Sequence, residues 1–301
     1  MRGRVLRSQS GQYWVKTDEG LIHCSLRGRF KRGKARTDLV VIGDWVRVRP
    51  LSETGEGVIE EVEPRGNRFA RRQPGGRGRY KEHVLVANLD WLIVVMACET
   101  PEPNPRLIDR FLVIAELDDI PAVLVANKVD EVGEGVAAER FGQYASLGYP
   151  VLYTSATERI GIDSLRSSVA GKVCAFVGPS GVGKSSLLNA IDPALELAVG
   201  ALSESLHKGK HTTRVAQLHE LEGGGLLADT PGIRELATFS LPREALARCF
   251  PEMRPYTERC RFAGCSHDHE PDCAVVAAVE RGEISRHRHD SYLRILHDQE
   301  R

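Results

Sequence analysis

The chain has 301 residues, 42% of them hydrophobic, with 41 Lys and Arg against 41 Asp and Glu. Its length suits two or three domains with ordinary cores, and its longest apolar run, residues 91–98, falls far below the about 20 residues of a membrane span. No signal-peptide core follows Met-Arg-Gly-Arg-Val at the start, so the expectation is a cytoplasmic protein with no membrane partner.

The charge is unevenly spread. Residues 1–82 hold 19 Lys and Arg and 10 Asp and Glu, and the rest of the chain carries the compensating acidic excess. Arg65, Arg68, Arg71, Arg72, Arg77, Arg79 and Lys81 follow one another with no acid between them. This is the footprint of a polyanion partner, or of a solvated basic linker. The cysteines number seven, and an odd count without a secretory signal argues against a disulfide framework.

Residues 1–63 read as short alternating strands, at 13–17, 21–26, 45–48 and 58–62, parted by Gly, Asp and Pro. Such a basic all-β segment fits a small closed barrel, the OB-fold first and an SH3-like barrel second. Trp14 is expected in its core, with stacking of Tyr13 or Trp14 on nucleobases as the alternative. Residues 64–80 contain Gly-rich breaks and no hydrophobic period, the pattern of a linker or long loop.

From residue 84 the pattern changes. Apolar, non-alternating strands at 91–97, 122–126, 151–153, 173–177 and 226–228 are spaced by helical stretches such as 107–117 and 185–190. Buried strands separated by helices mean a parallel α/β sheet. Beyond about residue 239 the chain becomes helical and rich in Cys and His, with a last helix near 285–297. The expected domains are therefore 1–80 (barrel plus basic linker), 81–238 (an α/β P-loop domain) and 239–301 (a mostly α module).

The first chemical motif is Asn127-Lys128-Val129-Asp130, directly after a buried strand. A carboxylate at Asp130 can accept from guanine N1–H and its 2-amino group, donors that adenine lacks, so GTP is preferred over ATP. The Lys128 stem can cover the base and Asn127 can tie this loop to the phosphate loop. Ser155-Ala156 supplies a backbone N–H for guanine O6.

Gly178, Pro179, Ser180, Gly181, Val182, Gly183, Lys184 and Ser185 match G-x-x-x-x-G-K-[ST] between a strand and a helix that continues through Ser186. The glycines let backbone N–H groups curl around phosphate, and the helix N-terminus adds positive charge. Lys184 should reach the β/γ-phosphates and the Ser185 hydroxyl should hold Mg²⁺. Downstream, Gly209-Lys210-His211-Thr212-Thr213 offers a Thr for the Mg²⁺ shell, and Asp229-Thr-Pro-Gly232 ends a strand with D-x-x-G. Asp229 can hold Mg²⁺ through water, and Gly232 can present its N–H to the γ-phosphate. Where many small GTPases place a water-orienting Gln, this chain has Ile233, so intrinsic turnover should be slow. All five boxes of a small GTPase are present, but the base-reading pair precedes the phosphate loop: the order is circularly permuted.

Cys260-x₄-Cys265-x-His267-x₅-Cys273 offers the three thiolates and one imidazole of a closed, structural zinc site, with Asp268 and His269 as rival ligands. Arg281, Arg286, Arg288 and Arg294 beyond it read as RNA contacts or as a solvated helix face.

Taken together, the N-terminal barrel, the boxes NKVD, SA, GPSGVGKSS, GKHTT and DTPG in rotated order, and the Cys/His module resemble the circularly permuted small-ribosomal-subunit-dependent GTPase A family over nearly the whole chain. That resemblance implies a GTP hydrolase stimulated by the small ribosomal subunit and acting in its late maturation; rRNA is the expected polyanion, and a monomer is the expected state. It also implies zinc on Cys260, Cys265, His267 and Cys273, and His211 as the residue that positions water, against a plain polar-loop role. Lys210 stands where the family commonly has Arg. The competing classes are an RNA-binding scaffold holding GDP structurally and, disfavoured by the closed ligand set, a zinc hydrolase.

Overall fold

A computed structural model describes residues 1–27, 39–51, 55–74, 80–197, 216–229 and 243–297. Strands β1 (Arg2–Gln9), β2 (Gln12–Thr17), β3 (Gly20–Leu26), β4 (Trp45–Pro50) and β5 (Glu56–Val62) close on themselves. Neighbouring pairs are antiparallel except β3 with β5, which run parallel. This is the five-stranded OB arrangement. Alternate residues Val5, Tyr13, Val15, Ile22, Cys24, Val46, Val48 and Ile59 fill the barrel. Tyr13, not Trp14, therefore takes the core position: a one-residue parity decides it. Trp14 lies on the outer face between Arg7, whose guanidinium is 4.5 Å from the indole centroid, and His23, 4.9 Å away.

The segment expected to be a linker is instead paired. Strand β6 (Arg68–Pro74) and strand β7 (Tyr80–Ala87) form an antiparallel hairpin. Phe69 and Val86 are fully buried in the core of the central domain, and the Ala70 N–H donates to Asp118. Nor is every cation of the basic run free for a partner. Arg65 grips the buried Asp44 carboxylate with two hydrogen bonds, at 2.7 and 2.8 Å, and Arg68 pairs with Glu82.

The central sheet runs β10 (Val151–Thr154), β9 (Ala122–Asn127), β8 (Trp91–Ala97), β11 (Val173–Val177), β13 (Leu226–Asp229), all parallel. The central strands β8, β9 and β11 are buried on both faces, hence their unbroken apolar sequences. One strand absent from the sequence reading, β12 (Ala216–Glu220), pairs antiparallel with β13 on one side and with β1 on the other. It joins barrel and central sheet into one 11-stranded sheet.

Helices α1 (Pro105–Leu117) and α2 (Glu134–Ser146) cover one face, and α3 (Ile162–Val169) and α4 (Lys184–Ile191) the other. Asn104 caps α1 by accepting from the N–H groups of Arg106 and Leu107. Helix α2 has few apolar residues, but Ala137, Phe141 and Tyr144 recur at helical spacing and are its buried stripe. The C-terminal segment contributes α5 (Arg243–Leu246), α6 (Arg254–Thr257), α7 (Ala274–Glu280) and α8 (Arg286–His297), packed against the α1 side. No helix among the described residues is long and apolar enough to cross a membrane.

Arg288 of α8 is neither an RNA contact nor part of a solvated face, as the sequence suggested. It is 1% exposed, hydrogen-bonds Glu252 at 2.6 Å and Asp109 of α1, and sits over the Phe250 ring at 4.6 Å. Burial opposes its charge, but the two carboxylates more than offset this and raise its pKa further. Asp109 also accepts from the Tyr144 hydroxyl, so one cation clamps the C-terminal helix to α1 and α2. Arg288→Met should destabilise the chain by about 3–5 kcal/mol, since it leaves buried carboxylates uncompensated. Urea unfolding monitored by circular dichroism measures this; an unchanged midpoint would contradict the clamp.

Candidate nucleotide site and Cys/His centre

The motif residues expected at the base and phosphate sites gather where α/β sheets bind ligands, at the carboxyl ends of the parallel strands. Gly178 leaves β11 alongside β8, and a Cβ there would come 2.2 Å from the Val95 carbonyl oxygen. Gly183, with φ +94°, opens α4; its hypothetical Cβ would meet the Asn127 amide nitrogen at 2.3 Å. That close approach lets Asn127 donate to the Val182 carbonyl at 2.8 Å, linking the base loop to the phosphate loop. The orientation of Asn127 is set from its other side by Thr154, whose hydroxyl donates to Oδ1 at 3.0 Å. Thr154 was not singled out from sequence, although its place at the end of β10, just before Ser155-Ala156, is a usable signal.

Within the phosphate loop, the Lys184 ammonium donates to the carbonyls of Gly178 and Pro179, at 2.8 and 2.6 Å. Ser185 is buried in the first turn of α4, followed by Ser186. Pro179, Ser180, Gly181 and Val182 complete the curve, with Gly181 also at positive φ.

In the base loop, Lys128 adopts a left-handed conformation (φ 63°), uncommon for a residue with a Cβ. Its ammonium donates to the Thr100 carbonyl, and the Thr100 N–H donates to Glu131 at 3.1 Å, so the loop is pinned at both ends. Asp130 is exposed and accepts a long hydrogen bond, 3.5 Å, from Thr157. Ser155 is fully buried and organises its own turn: its N–H donates to Ile160 and its hydroxyl accepts from the Glu158 N–H. Ala156 follows, half-buried.

Asp229 ends β13, with one carboxylate oxygen 3.9 Å from Nε2 of His219 on β12. Lys210, His211, Thr212, Thr213, Gly232 and Ile233 lie outside the described residues.

About the C-terminal centre, the thiols of Cys260, Cys265 and Cys273 and an imidazole nitrogen of His267 all lie within 4.8 Å of one another. Cys260 and Cys273 are each 3.5 Å from His267 Nδ1 and 3.9 Å apart. A tetrahedral ion with Zn–S of about 2.3 Å and Zn–N of about 2.0–2.1 Å separates its donors by about 3.5–3.8 Å. These residues fit zinc. Their rivals are turned elsewhere: Asp268 faces His269 and His297, and His269 is largely exposed.

A left-handed turn at His267 (φ 56°) brings its ring to the cluster. Burial lowers the His267 pKa, which favours the neutral form that ligates metal. The turn is fastened from outside. The His267 carbonyl meets Nε2 of His289 at 2.8 Å, and the Ser266 carbonyl accepts from the Tyr292 hydroxyl at 2.7 Å. Glu270 accepts from the Ser266 hydroxyl and from the N–H groups of Ser266 and Asp268. Burial would raise the Glu270 pKa, yet these donors bring it down to about 2.

The RsgA GTPase profile matches residues 62–239, and the RsgA N-terminal domain profile matches residues 2–59. A protein of Gemmatimonas aurantiaca named small ribosomal subunit biogenesis GTPase RsgA is 43% identical over 97% of this chain and 95% of its own length. The protein of that name from Moorella thermoacetica is also 43% identical, over 98% and 96%. Among solved structures, YjeQ from Thermotoga maritima superposes with a TM-score of 0.77 at 35% identity, covering 99% of this chain and 98% of that one. YloQ, described as a circularly permuted GTPase, gives 0.73 at 29% identity, over 99% and 94%. With the barrel, the phosphate loop on β11 and the base loop on β9 in this permuted order, and with both profiles matched, the chain belongs to the RsgA GTPase family and is a GTPase.

Proposed function

We propose that this GTPase acts in biogenesis of the small ribosomal subunit, binds that subunit's rRNA, and hydrolyses GTP faster when bound to it. The observation that carries the reading is the placement of a basic OB barrel in one continuous sheet with the strand that ends in Asp229, through β12. The names of its relatives supply the subunit.

In this reading the guanine edge lies against Asp130, with Lys128 along the base. The N–H that reads guanine O6 is that of Ala156, since the Ser155 N–H is already given to Ile160. Lys184 moves from the loop carbonyls to the β/γ-phosphates, where it and the loop N–H groups offset the charge that develops in phosphoryl transfer. Ser185, Thr212 or Thr213, and Asp229 through water would hold Mg²⁺, which would supply electrostatic stabilisation of the phosphates. His211 orients the attacking water, a task Ile233 cannot perform. Zinc on Cys260, Cys265, His267 and Cys273 is structural, since four protein donors leave no open position. The protein works as a monomer in the cytoplasm.

Turnover with purified small subunits tests the reading. Stimulation should be large at low salt and fall steeply as salt rises, because phosphate contacts release counterions; a rate indifferent to subunits would reject it. His211→Ala should keep GTP affinity while losing most of the stimulated rate, on the order of 10²-fold for a lost water-orienting group. A wild-type stimulated rate would remove His211 from the mechanism.

A further inference from the structure

Where the barrel meets the central sheet, a groove of about 460 Å³ opens between β1 and β2 on one side and β12 on the other. Arg7, Trp14, Lys16, Leu21, His219 and Glu220 line it. Three of its features are unusual for a bare surface. Leu21 is 57% exposed. Trp14 stands on the outer face of β2, in a row of planar side chains running from Arg7 on β1 through the indole to His23 on β3. The Arg7 Nε–H is buried and has no hydrogen-bond partner among the described residues, although another nitrogen of the same guanidinium donates to Gln9.

We infer that this groove takes a nucleotide of single-stranded RNA, with its base on the Trp14 indole and its phosphate on Arg7 and Lys16. The inference rests on the RNA-binding reading above and gives it a location. The outer face of strands β2 and β3 is where OB-folds bind oligonucleotides, and stacking on an aromatic side chain tolerates any base. The Arg7–Trp14 pair is a place-holder. When RNA arrives, the guanidinium leaves the ring for the phosphodiester, which satisfies the orphaned N–H, and the base takes over the ring face. Lys16 is at present paired with Glu220 at 2.6 Å, but both side chains are about half exposed. A pair so open to water is weak and yields readily to a phosphate. The β12 side of the groove carries His219, 3.9 Å from Asp229, so an occupied groove adjoins the strand next to the hydrolysis site.

Fluorescence anisotropy of a 5′-labelled ten-nucleotide oligoadenylate RNA, titrated with the full chain at low salt, tests this. Trp14→Leu should weaken binding about 5- to 150-fold, the loss expected for one stacked base. Trp14→Phe, which keeps a stacking face, should remain within about 5-fold of wild type. Arg7→Gln should weaken binding and reduce the slope of log affinity against log salt by about one phosphate contact. GTP affinity and melting temperature, measured on each variant, identify any that fail to fold; Arg7→Gln keeps the test alive if Trp14→Leu does. Wild-type affinity in both Trp14→Leu and Arg7→Gln would overturn the groove while leaving RNA binding elsewhere on the barrel intact. If wild type binds neither the oligonucleotide nor small subunits in cosedimentation, the RNA-binding reading fails and the groove with it.

Discussion

Asp130→Asn should lower the affinity for GTP by about 10²- to 10⁴-fold and create a preference for xanthosine triphosphate. In the proposed reading the carboxylate accepts two hydrogen bonds from the guanine edge, each to a charged acceptor and so worth about 1.5–3 kcal/mol. An amide keeps one acceptor but turns a donor toward the guanine 2-amino group, which sets donor against donor. Xanthine carries a carbonyl at that carbon and restores the match. Asp130 is well placed for this because it is exposed, and its contact with Thr157 is long, at 3.5 Å. Removing its charge therefore disturbs little of the apoprotein. The residues that hold its loop, Asn127 against Val182 and Thr154, and Glu131 against Thr100, are left untouched. Calorimetric titration with both nucleotides reads the switch. GTP binding at wild-type strength would place the base somewhere other than on this carboxylate.

Removing zinc by chelation, or Cys273→Ser, should cost about 3 kcal/mol or more, a drop of ~6–12 °C in melting temperature for a chain of this size. The short connection from Cys260 to Cys273 has little core of its own: Cys273 and His267 are buried within the Cys/His cluster, while Phe262 is 43% exposed. The chain before this segment and the helix beyond α7 are anchored independently, through Phe250 and Met253 on one side and Tyr292, Leu296 and the clamped Arg288 of α8 on the other. Loosening should therefore stay within the knuckle and α7, and GTP affinity should be retained. Hydrogen exchange mapped along the chain checks both parts, and a knuckle equally protected with and without chelator would mean no metal holds it. Acid behaviour gives a further handle. Glu270 has a folded pKa of about 2, below the ordinary value of about 4.3, so its stabilisation is complete above about pH 4.5 and is lost as pH falls toward 2. Thiolate ligands take up protons well above that range. Zinc release should precede the loss of the Glu270 fastening.

Sequence alone made the nucleotide chemistry legible because each box is local. The phosphate loop, Asn127 to Asp130 and the Cys/His spacing are short runs in which residue type and separation already imply the chemistry. Strands β8 and β11 were readable to the residue, since strands buried on both faces leave no doubt about period. What tertiary structure decided are matters of partnership. β12 offers only one buried residue, Leu218, and becomes a strand because β1 and β13 complete its hydrogen bonds. The β6–β7 hairpin is held by Phe69 and Val86 in a core built by residues further along the chain. Tyr13 rather than Trp14 enters the barrel because alternation along a strand has two phases, and only the partner strands choose between them. Arg288 looks like any surface cation on a polar helix until Asp109, 179 residues earlier, is brought against it. Local chemistry was written in the order of residues. Burial and pairing depend on distant segments meeting, and only the folded chain contains them.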